Sequence, residues 1–494
     1  MKRMDDAQSP GPEYERRWYT EHTALLITTL KWALLGAAAG VCVGLGTGAF
    51  LWSLAAATDL VRRAAVGHLR PYDALPLALP AAVWLVRRFA PEARGHGTEA
   101  VIAAVHQRSG RIDWTVAPVK LVATVVTLAF GGSVGKEGPC AQIGAAITSL
   151  FADLLHLNDE DRRRLVICGI AAGFAAVFGT PVSGALFGVE VLYLGRIEYP
   201  VLFPSLVAGI VAHLVTSTPP PVAGVEAAGL ASLGHLQLVL LSIAFGIVFG
   251  LVAFALIESM RLAGALLHRF AARPYLVAAV GGVALAIGYT LAGEFVSGLG
   301  TDTIQAALAG TAPIPSFAWL AKIAATAVTL ETGGSGGIVT PLFFIGSTAG
   351  AALAHAAHLP TGAFAAFGFV AVVAAAANTP VAAAVMAMEL LPGPIGVYAA
   401  LCAVTAFLVV GHRSVYASQK LGFSKSAGLE VPLDGYVGEL DARALRVRQG
   451  SLTERAHRML DKPGRRRRAS GPRRGGHSAA PRKPPADTGD APPG

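Results

Sequence analysis

The sequence predicts an all-α, polytopic membrane protein made of two related halves. Three observations carry that prediction: the hydropathy, the charge-free runs and an internal repeat. Of 494 residues, 53% are hydrophobic and only 14% charged, with mean hydropathy +0.55, whereas an ordinary soluble domain carries roughly 25% charged residues. Runs without Asp, Glu, Lys or Arg span Trp32 to Thr58, Ala227 to Ile257 and Leu390 to His412. Each exceeds the ~20 residues that cross a bilayer core, so a single anchor helix does not explain them.

In chain order, the sequence divides into a polar cytoplasmic start (1–22), a first membrane half (23–216), a linker (217–231), a second membrane half (232–418) and a basic tail (419–494). The first apolar run follows Arg16 and Arg17, is far longer than a signal-peptide core and lacks a small-residue cleavage site, so a retained helix is expected. Pro219, Pro220 and Pro221 mark the linker as an extramembrane loop. Much of the net charge of +9 lies in the tail, at Arg465 to Arg468, Arg473, Arg474, Arg482 and Lys483. Its Pro, Gly and Ala content without an apolar period reads as disorder. Such a tail suits the cytoplasmic side of a membrane and anionic lipid rather than nucleic acid. Both termini are therefore expected in the cytoplasm.

Cys42, Cys140, Cys168 and Cys402 stand singly in apolar stretches, with neither pairing nor ligand spacing, and read as small buried hydrophobes. No metal site and no cofactor are expected.

The halves are related in sequence. At an offset of 202, Lys120 to Gly144 falls on Lys322 to Gly346 with 13 of 25 positions identical. Matches in Ala, Leu and Val are discounted as membrane composition. The pairs Lys120/Lys322, Thr124/Thr326, Thr127/Thr329, Gly-Gly-Ser at 131 and 333, and Pro139/Pro341 resist that discount. At an offset of 199, Thr180-Pro181-Val182 falls on Thr379-Pro380-Val381, each Pro followed nine residues later by a glutamate, Glu190 and Glu389. About eight helical pieces per half are expected, several too short to span. Repeats of this kind place a substrate site at their interface.

In each repeat Gly-Gly-Ser breaks the apolar run, and Pro139 or Pro341 falls in the first turn of the helix that follows. A helix restarting there presents free N–H groups and its positive dipole end to the break, and two such ends converging from the repeats would hold an anion without a full positive charge. Glycines that merely permit close helix packing are the competing explanation. Glu137 adds weight to the first, since an ionisable group at membrane depth costs about 2.5–3.5 kcal/mol or more and is functional by default. It stands where the other repeat has Val339. A carboxylate at such a helix start is a tethered anion able to occupy the seat, and protonation would vacate it; a structural cap is the alternative. Lys120 and Lys322 read as snorkelling to the interface, or as part of an electrostatic funnel.

Gly135-Lys136-Glu137-Gly138-Pro139, Gly337-Ile338-Val339-Thr340-Pro341 and the late Tyr416 resemble the signature segments of the chloride channel (CLC) family, over about residues 25–420. The resemblance implies two inverted structural repeats of about eight or nine helices each, many broken or tilted, with one pore per subunit and assembly as a homodimer. It places the gating glutamate at Glu137 and anion-binding backbone at Gly135, Lys136, Gly138, Gly337, Ile338 and Val339. The anion-contacting tyrosine falls on Tyr416.

Two departures follow from the same comparison. The family's first anion-binding segment appears as Gly95-His96-Gly97-Thr98-Glu99, one residue short, with His96 in place of the usual serine. Either the imidazole donates to the anion and adds pH sensitivity, or only the neighbouring backbone matters. The family's internal proton-accepting glutamate, which would follow Glu190, is Val191. Glu190 itself reads as a structural residue at a helix end.

The loss at Val191 favours a glutamate-gated passive chloride channel, with a proton-coupled chloride antiporter or a carrier of another small anion as the alternative. An intramembrane enzyme is remote: His-Glu-x-x-His, Gly-x-Ser-x-Gly and the phosphate-loop signature are all absent. No pair of cystathionine-synthase-type domains fits the 78 residues after Tyr416.

Overall fold

The computed structural model describes residues 12–65, 70–218, 225, 229–310, 314–440 and 446–455. Among them run sixteen α-helices, eight on each side of the linker. The first half comprises α1 (Pro12–Ala64), α2 (Leu75–Phe89), α3 (Thr98–Gln107), α4 (Val116–Ala129), α5 (Glu137–Leu154), α6 (Asp159–Phe178), α7 (Pro181–Glu190) and α8 (Tyr199–Thr216). The second comprises α9 (His235–Leu267), α10 (Pro274–Ala292), α11 (Thr301–Ala309), α12 (Ala318–Glu331), α13 (Val339–Ala356), α14 (Thr361–Ala377), α15 (Pro380–Leu390) and α16 (Pro394–Val409). Five stretches are long and apolar enough to cross a membrane, within α1, α8, α9 with the turn after it, α10 and α13.

Long helices pack through small residues, because lipid offers no hydrophobic drive between helices and close backbone approach supplies the dispersion contact instead. Gly36, Gly40 and Gly44 of α1 lie against the α8 backbone at Pro204, Ala208 and Ala212. Gly246 and Gly250 of α9 lie equivalently against α16 at Cys402 and Ala406.

The repeat identities turn out to be the contacts between the repeats. Ser133 N–H donates to Thr329 Oγ1 and Ser335 N–H to Thr127 Oγ1, both at 3.1 Å. Thr124 and Ser335 hydroxyls meet at 3.1 Å, and Ser133 and Thr326 hydroxyls at 3.2 Å. Each contact has its mirror, as a two-fold axis between the repeats requires. Buried hydroxyls and amides are thereby satisfied where water is absent.

Glu190 and Glu389 follow the same rule. Glu190 accepts from the N–H groups of Val381 and Ala382 at 3.0 and 2.7 Å, at the start of α15. Glu389 accepts from Val182 and Ser183 at 3.0 and 2.8 Å, at the start of α7. Each repeat's glutamate caps the other repeat's helix, satisfying orphan donors and complementing the dipole. Glu190→Ala and Glu389→Ala are therefore each expected to lower stability by about 1–3 kcal/mol without changing what is transported. Thermal unfolding in detergent, alongside flux in liposomes, checks both halves of that expectation.

Helix α1 begins at Pro12, within the segment expected as the polar start. Two expectations need correction. Lys120 and Lys322 do not snorkel: both are fully buried. Lys120 Nζ donates to the carbonyls of Ala93 and Gly95 at 3.1 and 2.5 Å, and Lys322 Nζ to those of Val296 and Gly298 at 2.9 and 2.8 Å. Each lysine clasps the loop leading into a short helix, α3 or α11. The start of the tail is ordered: Lys420–Leu421 pairs in parallel with Tyr193–Leu194, and Leu194, Leu421 and Val437 share a small core. Gln419, fully buried, donates to the Val191 and Ala377 carbonyls at 2.7 and 2.8 Å. These contacts are few and non-local, so they left no period in the sequence. A second small unit contains an antiparallel pairing of Leu429–Glu430 with Arg446–Val447. The arginine clusters from Arg465 onward, the three linker prolines and the first eleven residues lie outside the described residues.

Candidate functional site

The breaks before α5 and α13 meet each other. Gly135 and Gly337 form an antiparallel bridge, each N–H donating to the other's carbonyl at 2.6 Å. This corrects one expectation, because amides spent on each other are not offered to an anion. The pair instead locks the two helix starts together. Among the donors left over are the Ile338 and Val339 N–H groups, which have no backbone partner among the described residues.

A third strand of backbone joins them, from the loop before α3. Gly97 holds φ +84°, and a Cβ on it would lie 2.5 Å from the Gly138 carbonyl oxygen. A Cβ on Gly138 would lie 2.2 Å from the His96 carbonyl oxygen and 3.0 Å from Gly337 Cα. Only glycine allows this approach. Gly95 contributes by its carbonyl, held by Lys120; an acceptor positions the loop and does not bind an anion.

Glu137, the first residue of α5, is 1% exposed. Its carboxylate accepts from Thr340 N–H at 3.0 Å and from the Thr340 hydroxyl at 2.6 Å. One repeat's carboxylate thus sits on the N-terminal turn of the other repeat's helix, beside the free amides of Ile338 and Val339. Thr340 was not singled out in the sequence, although the signal was present. The copies differ at 136/338, 137/339 and 138/340, and the difference that marked Glu137 marks its partner too.

His96 and Tyr416 come together, with ring centroids 5.7 Å apart. Tyr416 is fully buried. His96 Nδ1, Thr98 Oγ1 and Tyr416 Oη are all shut off from solvent and none makes a hydrogen bond of good geometry, although the Thr98 and Tyr416 hydroxyls face each other. Three such polar groups in one place are costly, at about 1–3 kcal/mol each, unless something completes them. Each of the three can donate to an anion. Lys136 is half-buried at the start of α5. Val191 is buried with its carbonyl held by Gln419, and offers no ionisable group. The repeat extends to this loop: Gly95-His96-Gly97-Thr98-Glu99 matches Gly298-Leu299-Gly300-Thr301-Asp302 at an offset of 203. Both loops are clasped by equivalent lysines.

Residues 77–411 match the family described as voltage gated chloride channel. The chain belongs to the CLC family. It is thus an anion-transporting membrane protein of a family of channels and transporters rather than enzymes. A chloride/fluoride channel protein of Pseudomonas syringae pv. tomato is 36% identical over 442 residues, covering 88% of this chain and 96% of the relative. An H(+)/Cl(-) exchange transporter of Cronobacter sakazakii is 30% identical over 324 residues, covering 62% and 69%. Among solved structures, a CLC-type fluoride/proton antiporter superposes with TM-score 0.74 at 26% identity, over 80% of this chain and 98% of that one. A slow cyanobacterial Cl-/H+ antiporter, at TM-score 0.65 and 19% identity over 77% and 94%, shares the CLC fold.

Proposed function

We propose that this CLC protein exchanges a small monovalent anion, chloride or fluoride, for protons. The observation that carries this reading is the Glu137 carboxylate seated on Thr340. It is an anion held by Thr340, beside the free amides of Ile338 and Val339 that would hold the substrate, and it can be removed by adding a proton. Protonation frees the seat for an anion, and deprotonation returns the tether and expels the anion. Carboxylate and anion thus compete for one place and the proton decides between them, which is the minimum needed for coupling.

The leaning towards a passive channel gives way here. It rested on Val191 alone, and relatives described as exchangers and antiporters include the Cronobacter protein and the fluoride/proton antiporter structure. In this reading, Ile338 and Val339 amides, His96, Tyr416 and the backbone at Gly97 and Gly138 line the anion's path, with Lys136 beside it. Assembly as a homodimer in the cell membrane, with cytoplasmic termini, belongs to the same proposal.

Purified protein in anion-loaded liposomes tests it, with potassium permeability supplied by an ionophore and both anion and proton movement recorded. Coupled movement of chloride or fluoride with protons supports the reading; anion efflux with no proton movement returns the protein to the channel class. The size of the seat gives a further expectation. His96→Ser replaces a ring by a small hydroxyl beside Tyr416, so larger anions such as bromide and nitrate should gain on fluoride by about tenfold, the effect of roughly 1.4 kcal/mol. Competitive efflux measurements check it, and an unchanged anion order would leave the backbone alone as the selector.

A further inference from the structure

Glu99 is the least explained ionisable group at the site. It is the second residue of α3, three positions after His96, and one carboxylate oxygen, Oε1, accepts from Ser418 N–H at 2.9 Å and from the Ser418 hydroxyl at 2.6 Å. The other oxygen, Oε2, is shut off from solvent and has no partner. His96 Nδ1, Thr98 Oγ1 and Tyr416 Oη are likewise shut off from solvent. An anion in the seat completes those three, since each can donate. It does not complete a carboxylate oxygen, which only accepts. Oε2 is completed by a donor brought to it or by a proton bound to it.

We propose that Glu99 is a second proton-accepting carboxylate of the exchange cycle, serving in the place left empty by Val191. This rests on the proton-coupled reading above. In the step inferred, transient water carries a proton from solution to Glu99 Oε2, and the proton then passes to the Glu137 carboxylate through water in the seat beside Tyr416. Glu99 returns to its anionic form, Glu137 becomes the neutral acid, and the seat is freed for the anion. One proton is moved and no bond between heavy atoms changes.

The placement supports the relay. Tyr416 packs on His96 and lies two residues before Ser418, which holds Glu99, while the His96 carbonyl abuts Gly138, the neighbour of Glu137. The groups facing Glu99 are the N–H groups of Ala417 and Ser418 and the Ser418 hydroxyl, with Tyr416 from the same segment. No lysine or arginine among the described residues pairs with it. On its own element lie His96 and the uncharged Thr98, with Lys120 behind the loop.

The competing role is a structural anchor for the segment that carries Tyr416, and the test separates the two. Wild type, Glu99→Gln and Ser418→Ala are compared in liposomes for both anion and proton flux. The glutamine oxygen still accepts from Ser418, so Glu99→Gln is expected to keep anion flux while proton transport falls by roughly a hundredfold, the scale of losing one proton-transfer group. Ser418→Ala removes part of the anchor and is expected to keep the wild-type proton-to-anion ratio. A wild-type ratio in Glu99→Gln, or equal uncoupling in both variants, overturns the proposal. Should Glu99→Gln yield no folded protein, Glu99→Asp carries the test: it keeps an acid and should retain proton transport, and an Asp variant moving anions without protons overturns the proposal. A wild type that moves no protons refutes the parent reading, and that result is visible before any variant is made.

Discussion

Replacing Glu137 by alanine is expected to abolish proton transport while leaving anion flux, and to make that flux insensitive to pH. In the present structure the carboxylate is tied to Thr340 by its N–H and its hydroxyl. Hydrogen bonds to a charged group are worth about 1.5–3 kcal/mol each, so the tether is a strong competitor for the seat. If it holds the seat nine-tenths of the time, removing it strengthens apparent anion binding about tenfold, since apparent affinity scales with the fraction of open sites. Glu137→Gln mimics the protonated side chain and should likewise uncouple protons from anions. Parallel anion and proton flux traces check both variants; a Glu137→Ala protein that still pumps protons would remove Glu137 from the cycle.

Gly138→Ala should have the second large effect, for a steric reason. Its Cβ would lie 2.2 Å from the His96 carbonyl oxygen, well inside contact distance, and all the atoms it meets are backbone. Relief requires the loop before α3 to part from α5, which opens the site that three backbones form. A loss of about 1–3 kcal/mol in stability and a fall in anion flux of roughly tenfold or more are expected. Gly288 on α10 is the control, since a Cβ there meets nothing within 4 Å; Gly288→Ala should leave flux unchanged. Equal losses at both positions would mean that general helix packing, not the site, sets the effect.

Much of this site was legible in the sequence because a repeat records its own interface. Thr124, Thr127, Ser133 and their partners at 326, 329 and 335 match between the halves since they bond to one another across the pseudo-two-fold axis. Glu137 stood out for the opposite reason, as a mismatch in an otherwise matched segment. What stayed hidden depends on three-dimensional reciprocity. Gly135 and Gly337 looked like anion ligands, and only their pairing shows that their amides are already used. The lysines looked amphipathic, whereas the carbonyls that hold them are 24–27 residues away in sequence. Glu99 was read as part of a shortened motif, and its significance comes from Ser418, 319 residues later.

Helix starts from two repeats and one carboxylate competing with the substrate amount to coupled exchange at a shared seat, and an uphill experiment tests that most directly. Liposomes containing the wild-type protein are prepared with equal anion concentrations on both sides and a pH difference, with the membrane potential clamped by potassium and an ionophore. Coupled exchange predicts net anion movement against its own rising gradient, driven by protons alone, and its disappearance in Glu137→Ala. An anion distribution that stays at equality despite the pH difference would contradict coupling and leave a passive anion path.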